Sequence, residues 1–404
     1  MVLFFITSGL FLGWSLGAND AANVFGSAVG TRMVTFKRAA IVASIFVILG
    51  AVFQGEGASH TLGKLGAVNA LGGSFTVALA AALTVYWMTR IRVPVSTTQA
   101  IVGAIIGWNF FSGSSTDLTS LTKIVTTWVT GPLIGAGFAI LLYMLLKFIK
   151  RRSRIHMVRY ESYIRTGLLI VGAFGSYSLG ANNIANVMGV FVPAISLPEV
   201  DLGLFTLNGG QQLFLLGGIA IAFGIVTYSE HVMKTVGNNL LELNADTALI
   251  IVLAHSLVLF IFSSTALSDF VAGLGLPRIP LVPVSSSQVI VGAIIGIGLY
   301  KGVGNINFKT LRGIVSGWVT TPVIACVISF MSLFFVQNVF DIPVFYETGN
   351  AAGAVVEGIE ETTVTAVRYS LDPGLIISII FAVIASIFGY LWYREKQKSD
   401  SQRY

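Results

Sequence analysis

Long apolar runs constrain this chain more than any other feature. Runs near or above the roughly 20 residues that a helix needs to cross a bilayer lie at 38–54, 74–89, 121–149, 211–228, 247–268, 307–335 and 375–393. Charged residues make up 10% of the chain, against about 25% in a typical soluble domain. Backbone groups inside a bilayer must be hydrogen-bonded internally, which favours helices. The sequence therefore predicts an all-α polytopic protein, multi-pass in the plasma (inner) membrane and surrounded by lipid.

Two further apolar blocks, 2–30 and 166–198, are too long for one regular span and contain a polar motif. The first block lacks a basic leader and a small-residue cleavage site, so we expect a membrane helix rather than a signal peptide. Gly17 and Gly180 stand within the two motifs and predict that the backbone unwinds there.

The chain carries the same motifs twice and in the same order. The sequence SLGANDAANV begins at Ser15 and returns as SLGANNIANV at Ser178. The sequence VPVSTTQAIVGAIIG begins at Val93 and returns as VPVSSSQVIVGAIIG at Val282, and WVTGP returns as WVTTP. This order predicts a duplication, with the basic segment 150–165 between the two halves.

The placement of basic residues distinguishes parallel repeats from inverted ones. If 74–91 and 98–111 form the arms of a re-entrant hairpin, each half crosses the membrane three times, and an odd number inverts the second half. That count places Arg32, Lys37 and Arg38 on the cytoplasmic side, in agreement with the positive-inside rule. The sequence therefore predicts two inverted repeats with broken helices and re-entrant helical hairpins.

The predicted chain has five parts. They are a first inverted repeat (1–149), a basic cytoplasmic linker (150–165), a second inverted repeat (166–335), an extracellular acidic loop (336–374), and a C-terminal transmembrane helix with a basic cytoplasmic tail (375–404). Arg90, Arg92 and Arg278 fall near the hairpin tips. They are either buried functional cations or a sign that the hairpin arms are shorter, and we favour the second interpretation.

The two hairpin tips carry matching hydroxyl clusters. Pro94 stops one helix, and Ser96, Thr97 or Thr98 can cap the next, whose first turn would offer free N–H groups and a positive dipole end to an anion. The predicted residues for a tetrahedral oxyanion are Ser96, Thr97, Thr98, Gln99, Ser285, Ser286, Ser287 and Gln288. The alternative is that such clusters only kink membrane helices.

The doubled SLGAN motif brings amides and one acid into apolar sequence. Its polar residues lie three or four apart, on one helical face, and supply hard oxygen ligands that suit Na⁺. The predicted cation-binding residues are Asn19, Asp20, Asn23, Asn182, Asn183 and Asn186. The alternative is a hydrogen-bonded cluster that only joins the halves. Because Asp20 matches Asn183, we expect the two positions to be inequivalent.

Both motif pairs resemble those of the inorganic phosphate transporter (PiT) family of cation-coupled phosphate symporters, over about residues 10–330. The resemblance implies inorganic phosphate as substrate and coupling to Na⁺ or H⁺. It implies that the binding site falls on Asn19, Asp20, Asn182 and Asn183, with Na⁺ among these four, and on the Ser, Thr and Gln residues of both tips. Many relatives have His where this chain has Gln99 and Gln288, which favours Na⁺.

The main prediction is a secondary active transporter that imports phosphate with Na⁺ by alternating access about a midplane site. A proton-coupled symporter and a passive anion channel remain as alternatives, and sulfate or arsenate could replace phosphate. An enzyme is not predicted because no nucleophile, base or metal cluster appears. No cofactor is expected beyond co-transported Na⁺. Nucleic acid is not expected as a partner, because much of the +6 net charge flanks apolar spans, and a homodimer is the candidate assembly.

Overall fold

The protein is described from a computed structural model over residues 2–66, 68–90, 95–152, 156–201, 203, 206–236, 244–302 and 308–346. Its helices are α1 Val2–Gly30, α2 Phe36–Gln54, α3 Glu56–Gly66, α4 Leu71–Arg90, α5 Thr97–Ser112, α6 Leu118–Arg152, α7 Met157–Met188, α8 Gly209–Thr227, α9 Ser229–Val236, α10 Ala245–Ser263, α11 Thr265–Gly273, α12 Ser286–Lys301 and α13 Phe308–Asn338. Two short strands, β1 Val200–Asp201 and β2 Thr206–Leu207, pair antiparallel before α8.

Eight of the described helices are long and apolar enough to cross a membrane: α1, α2, α4, α6, α7, α8, α10 and α13. This confirms the predicted all-α polytopic membrane fold. The predicted runs agree with these helices to within about five residues, except that the second long block, predicted at 166–198, is a helix over Met157–Met188. The predicted helix at 375–393 and most of the acidic loop lie outside the described residues.

Helices of one half pack against helices of the other half. The shared motifs match α1 with α7, α5 with α12, and α6 with α13. Helix α1 packs against α8 while α7 packs against α2, and α5 packs against α13 while α12 packs against α6. Each half therefore completes its packing with helices of the other half.

The prediction that the backbone unwinds at Gly17 and Gly180 is wrong, because α1 and α7 run without interruption through the SLGAN motifs. The glycines serve close packing instead. A methyl group at Gly17 would overlap the carbonyl group of Ile221 on α8, and one at Gly180 would overlap that of Val47 on α2. The chain breaks elsewhere, between α2 and α3 and between α8 and α9.

The small residues of the hairpins also mark close packing between the halves. Gly103 on α5 lies against the carbonyl group of Pro322 on α13, and Gly292 on α12 lies against that of Pro132 on α6. The next small residues, Gly107 and Gly296, repeat these contacts one turn later, on the same helices. Close approach of this kind is what small residues permit in membrane helix pairs.

The hairpin of α4 and α5 and the hairpin of α10 and α12 open toward opposite ends of α6. Near the start of α6, the indole N–H of Trp108 at the end of α5 donates to the Val344 carbonyl (2.9 Å), and both groups lie beside Gly73 at the start of α4. Near the end of α6, Lys150 pairs with Asp246 at the start of α10 (2.8 Å). Since α6 has 35 residues, these ends lie about 50 Å apart.

Two predicted boundaries differ from the structure. The run predicted at 247–268 ends at Ser263, because the Ser264 hydroxyl accepts from the backbone N–H of Leu267 (3.2 Å) and caps a new helix, α11. The basic segment 150–165 is mostly helical, since α6 extends to Arg152 and α7 begins at Met157.

Candidate functional site

Helices α5 and α12 begin at the two hydroxyl clusters, and serine caps both. The Ser96 hydroxyl accepts from the backbone N–H of Gln99 (3.2 Å), and the Ser285 hydroxyl accepts from that of Gln288 (3.4 Å). The caps leave the N–H groups of the next two residues at each tip without a partner inside the helix. Each tip thus has the backbone geometry of an anion site.

Asp20 lies at the centre of the polar cluster and is 2% exposed. One carboxylate oxygen accepts from the Asn19 amide (2.8 Å), and the other accepts from the Asn183 amide (3.2 Å). Thr97, at the start of α5, lies close to this carboxylate. The single acid of the doubled motif therefore links α1 with α7 and lies beside the tip of the first hairpin.

Residues of the second SLGAN motif form hydrogen bonds to both hairpin tips. The Asn182 amide donates to the Val284 carbonyl (2.8 Å) and accepts from the Val284 backbone N–H (2.8 Å), which holds the second tip in place. The Asn186 amide donates to the Thr98 hydroxyl (2.9 Å) and to Asn183 (3.2 Å). The six predicted cation residues and the two predicted tips are thus brought together, as the sequence predicts.

A histidine that the sequence analysis left unassigned also reaches this cluster. The Ser286 hydroxyl accepts from the Asn23 amide (3.0 Å) and lies 2.9 Å from Nε2 of His255 on α10. His255 is 0% exposed. A single histidine in an apolar run is not part of a recognisable motif. Only a comparison of matching positions in the two halves could have predicted that it belongs to the site.

Several buried amide oxygens at the site have no protein partner in the described part of the chain. They are Oε1 of Gln99, Oε1 of Gln288 and Oδ1 of Asn186. A buried polar atom that stays unpaired costs about 1–3 kcal/mol. Such atoms at equivalent positions of both tips leave acceptors open to a cation or to a hydroxyl group of a ligand.

The cluster is closed on one side and more open on the other. Asn182 and Asn186 are fully buried, whereas their counterparts Asn19 and Asn23 are only half-buried. Half-buried Ser27 follows four residues further along α1. This polar stripe leads from the cluster toward the C-terminal end of α1.

The arginines named from the sequence have peripheral contacts where they are described. Arg278 pairs with Asp269 at 3.4 Å, with both side chains largely exposed, and the Arg90 guanidinium lies 5.9 Å from the ring centre of Tyr86. Arg92 lies outside the described residues. The hydrogen bonds of the cluster described above include no lysine or arginine, so its only charged group there is an acid.

A separate cavity of about 600 Å³ lies beside α3 and the segment after α7, with Glu56, His60 and Lys64 in its lining. None of the predicted site residues lines it. Within the described residues, no group of three or more His, Cys, Asp or Glu side chains could hold a metal ion. The polar cluster between the repeats is therefore the candidate site.

The fold and the cluster define a multi-pass membrane transporter, with oxyanion donors and hard oxygen ligands held between helices of two halves. A model of the phosphate transporter family matches residues 16–329. The chain belongs to this family.

Named relatives support this assignment. A phosphate permease of Methanocaldococcus jannaschii is 30% identical over 78% of this chain and 91% of its own length, and one of Thermococcus kodakarensis is 27% identical over 82% and 96%. A solved structure titled "The sodium-dependent phosphate transporter" is 20% identical, with a TM-score of 0.66 over 83% of this chain and 98% of its own. At that identity the likeness concerns the fold.

Proposed function

We propose that this protein imports inorganic phosphate by symport with Na⁺. The observation that carries the proposal is the position of Asp20, whose carboxylate accepts from amides of both SLGAN motifs and lies beside a hydroxyl-rich helix start. A cation site and an anion site therefore share one hydrogen-bonded cluster. The name of the solved structure with this fold is consistent with Na⁺ as the coupling ion.

Phosphate would bind between the first turns of α5 and α12. The N–H groups after the two capping serines, hydroxyl groups of the second tip and the amides of Gln99 and Gln288 supply donors. A buried phosphate cannot be balanced by Asp20, which carries the same sign of charge. The anion therefore needs a cation brought in with it.

Na⁺ would bind beside Asp20, whose carboxylate and neighbouring amide oxygens are hard ligands. In the structure, both carboxylate oxygens accept from amides, one on α1 and one on α7. An ion at this position would compete with those amides and so loosen the link between the two helices. Since coupling is reciprocal, Na⁺ and phosphate would raise each other's affinity by the same factor.

Alternating access would come from movement of the two repeats around this site. Two observations support inverted repeats: helices exchange partners between the halves, and the two hairpins open toward opposite ends of α6. The half-buried stripe on α1 indicates a state that is accessible from the C-terminal end of that helix. By the positive-inside rule, that end is cytoplasmic.

Proton coupling is the second candidate, and one observation favours it. The absence of His at Gln99 and Gln288 was a reason to prefer Na⁺, yet the buried Asp20 carboxyl group is itself protonatable. A passive anion channel has less support, because it gives the Asp20 cluster no role.

The proposal is tested by uptake of labelled phosphate into proteoliposomes under an inward Na⁺ gradient, an inward H⁺ gradient, or neither. We expect accumulation above equilibrium with the Na⁺ gradient alone. Accumulation only with the H⁺ gradient would replace Na⁺ by H⁺ as the coupling ion. Equilibration without dependence on either gradient would indicate a channel, and competition by sulfate and arsenate would define anion preference.

Replacing each unpaired glutamine should separate binding from stability. We expect Gln99→Met or Gln288→Met to raise the KM for phosphate about tenfold, since a hydrogen bond to a charged group contributes about 1.5–3 kcal/mol. Thermal stability without phosphate should stay equal or rise, because each change removes an unpaired buried oxygen. Uptake kinetics and thermal unfolding in detergent measure the two effects.

Gln212→Met is the matched control for these variants. Gln212 is also buried, but its amide donates to the carbonyl groups of Pro198 (2.6 Å) and Leu207 (3.3 Å), away from the site. We expect lower stability and an unchanged KM. An unchanged KM in both tip variants would move the phosphate site away from these glutamines.

A further inference from the structure

The two halves differ at one buried position that faces the site. His255 is the eleventh residue of α10, counted from Ala245, and the eleventh residue of the matching helix α4, counted from Leu71, is Ala81. Both positions are buried. The two halves therefore differ at two positions. The first half has an acid at Asp20, and the second half has an imidazole at His255.

The hydrogen bonds of Ser286 determine what its hydroxyl group can do. A serine oxygen has two acceptor sites and one proton to donate. The Asn23 amide occupies one acceptor site at 3.0 Å, and His255 Nε2 lies 2.9 Å away. If Nε2 carries the imidazole proton, it fills the second acceptor site, and the Ser286 proton remains free for a ligand.

The second imidazole nitrogen supports this tautomer. Nδ1 of His255 is buried and has no partner in the described part of the chain. If Nδ1 carried the proton, it would be a buried N–H donor without an acceptor, which is rare in proteins. The proton therefore belongs on Nε2, where Ser286 accepts it.

The equivalent residue of the first tip lies beside an acid instead. Thr97 matches Ser286 in the repeat and lies near the Asp20 carboxylate. That carboxylate has the same sign of charge as phosphate, so it disfavours an anion at this hydroxyl. The two tips thus have the same sequence pattern but differ in the group that faces this hydroxyl.

We infer that His255 is a positioning residue that fixes the Ser286 hydroxyl as a hydrogen-bond donor to the bound phosphate anion. The inference rests on the proposed function and assigns the anion contact to the second tip, while Thr97 serves the cation side. His255 itself acts through Ser286 and needs no contact with phosphate.

The test compares two substitutions of His255 that differ in which nitrogen they keep. In His255→Gln the amide N–H can occupy the place of Nε2, whereas His255→Asn keeps only a group near Nδ1. We expect His255→Asn to raise the phosphate KM about fivefold with Vmax within about twofold, since a neutral hydrogen bond contributes about 1 kcal/mol. We expect His255→Gln to restore a KM close to that of the wild type.

A double-mutant cycle separates this role from a structural one. In the Ser286→Ala background, His255→Asn should have no further effect on KM, because the hydroxyl that it positions is gone. Ser263→Ala is the control on the same helix; that buried hydroxyl donates only to its own helix, at the Leu259 carbonyl, and its loss should leave KM unchanged.

Three results would overturn the inference: a wild-type KM in His255→Asn, equal defects in His255→Asn and His255→Gln, or an undiminished effect of His255→Asn without Ser286. Failure of the proposed function is a different result, in which the wild-type protein itself shows no phosphate uptake. That result would overturn both.

Discussion

Asp20→Asn is expected to lower Na⁺-driven phosphate accumulation about 5- to 150-fold, the range that a coupling free energy of 1–3 kcal/mol spans. The substitution keeps the shape of the side chain and removes the only charge in the described cluster. It also makes the first motif identical to the second at this position, where Asn183 stands. Uptake measured against external Na⁺ should lose its steep dependence on the ion.

The fold should survive this change, because the new amide keeps one oxygen as acceptor for Asn183, and Asn19 can turn its own amide oxygen toward the new NH₂ group. Thermal unfolding in detergent checks this. Asp269→Asn is the control, since it removes an exposed acid whose ion-pair partner in the described part of the chain is Arg278, at 3.4 Å. Normal accumulation with unchanged Na⁺ dependence in Asp20→Asn would show that this acid is not part of the cation site.

Among the variants proposed for stability measurements, Gly103→Ala is expected to cause the largest loss of stability. A methyl group at this position would overlap the backbone of Pro322, and a backbone carbonyl cannot rotate away as a side chain can. Helices α5 and α13 would have to separate, and overpacking of this kind costs about 1–3 kcal/mol or more. Gly292→Ala meets Pro132 in the same way and should match it. We expect a lower unfolding temperature for both.

Gly137→Ala is the matched control, because its methyl group would meet no atom within 4 Å. It lies on α6, where alanine is also the better helix former. Its unfolding temperature should stay equal or rise. If Gly103→Ala unfolded like Gly137→Ala, the close approach of α5 and α13 would not exist in the membrane.

The sequence predicted the features that depend on local chemistry. Apolar length set the spans, the hydroxyl groups of Ser96 and Ser285 set where α5 and α12 begin, and duplication matched the two halves. The residues predicted for the site lie together in the structure, because an acid and amides in apolar helices need one another as partners; their roles in binding stay a prediction.

Features that depend on contacts between distant segments could not be predicted. A glycine before a polar motif fits an unwound backbone as well as a close helix crossing, and only the position of Ile221 decides for Gly17. The spacing of the hairpin glycines Gly103 and Gly292 fits packing against the other hairpin arm as well, yet they pack against helices of the opposite repeat. His255 gained a role only when α10 placed it beside Ser286.

The exchange of partners between the halves has a consequence for biosynthesis. Gly17 and its contact Ile221 are separated by 204 residues (221 − 17), which a ribosome adds in about 10–40 s at roughly 5–20 residues per second. During that interval α1 and α2 are in the membrane without the helices that cover them, and Asp20 lacks Asn183. The first half of the chain therefore cannot complete its packing alone, and insertion of α7 and α8 is the step that completes it.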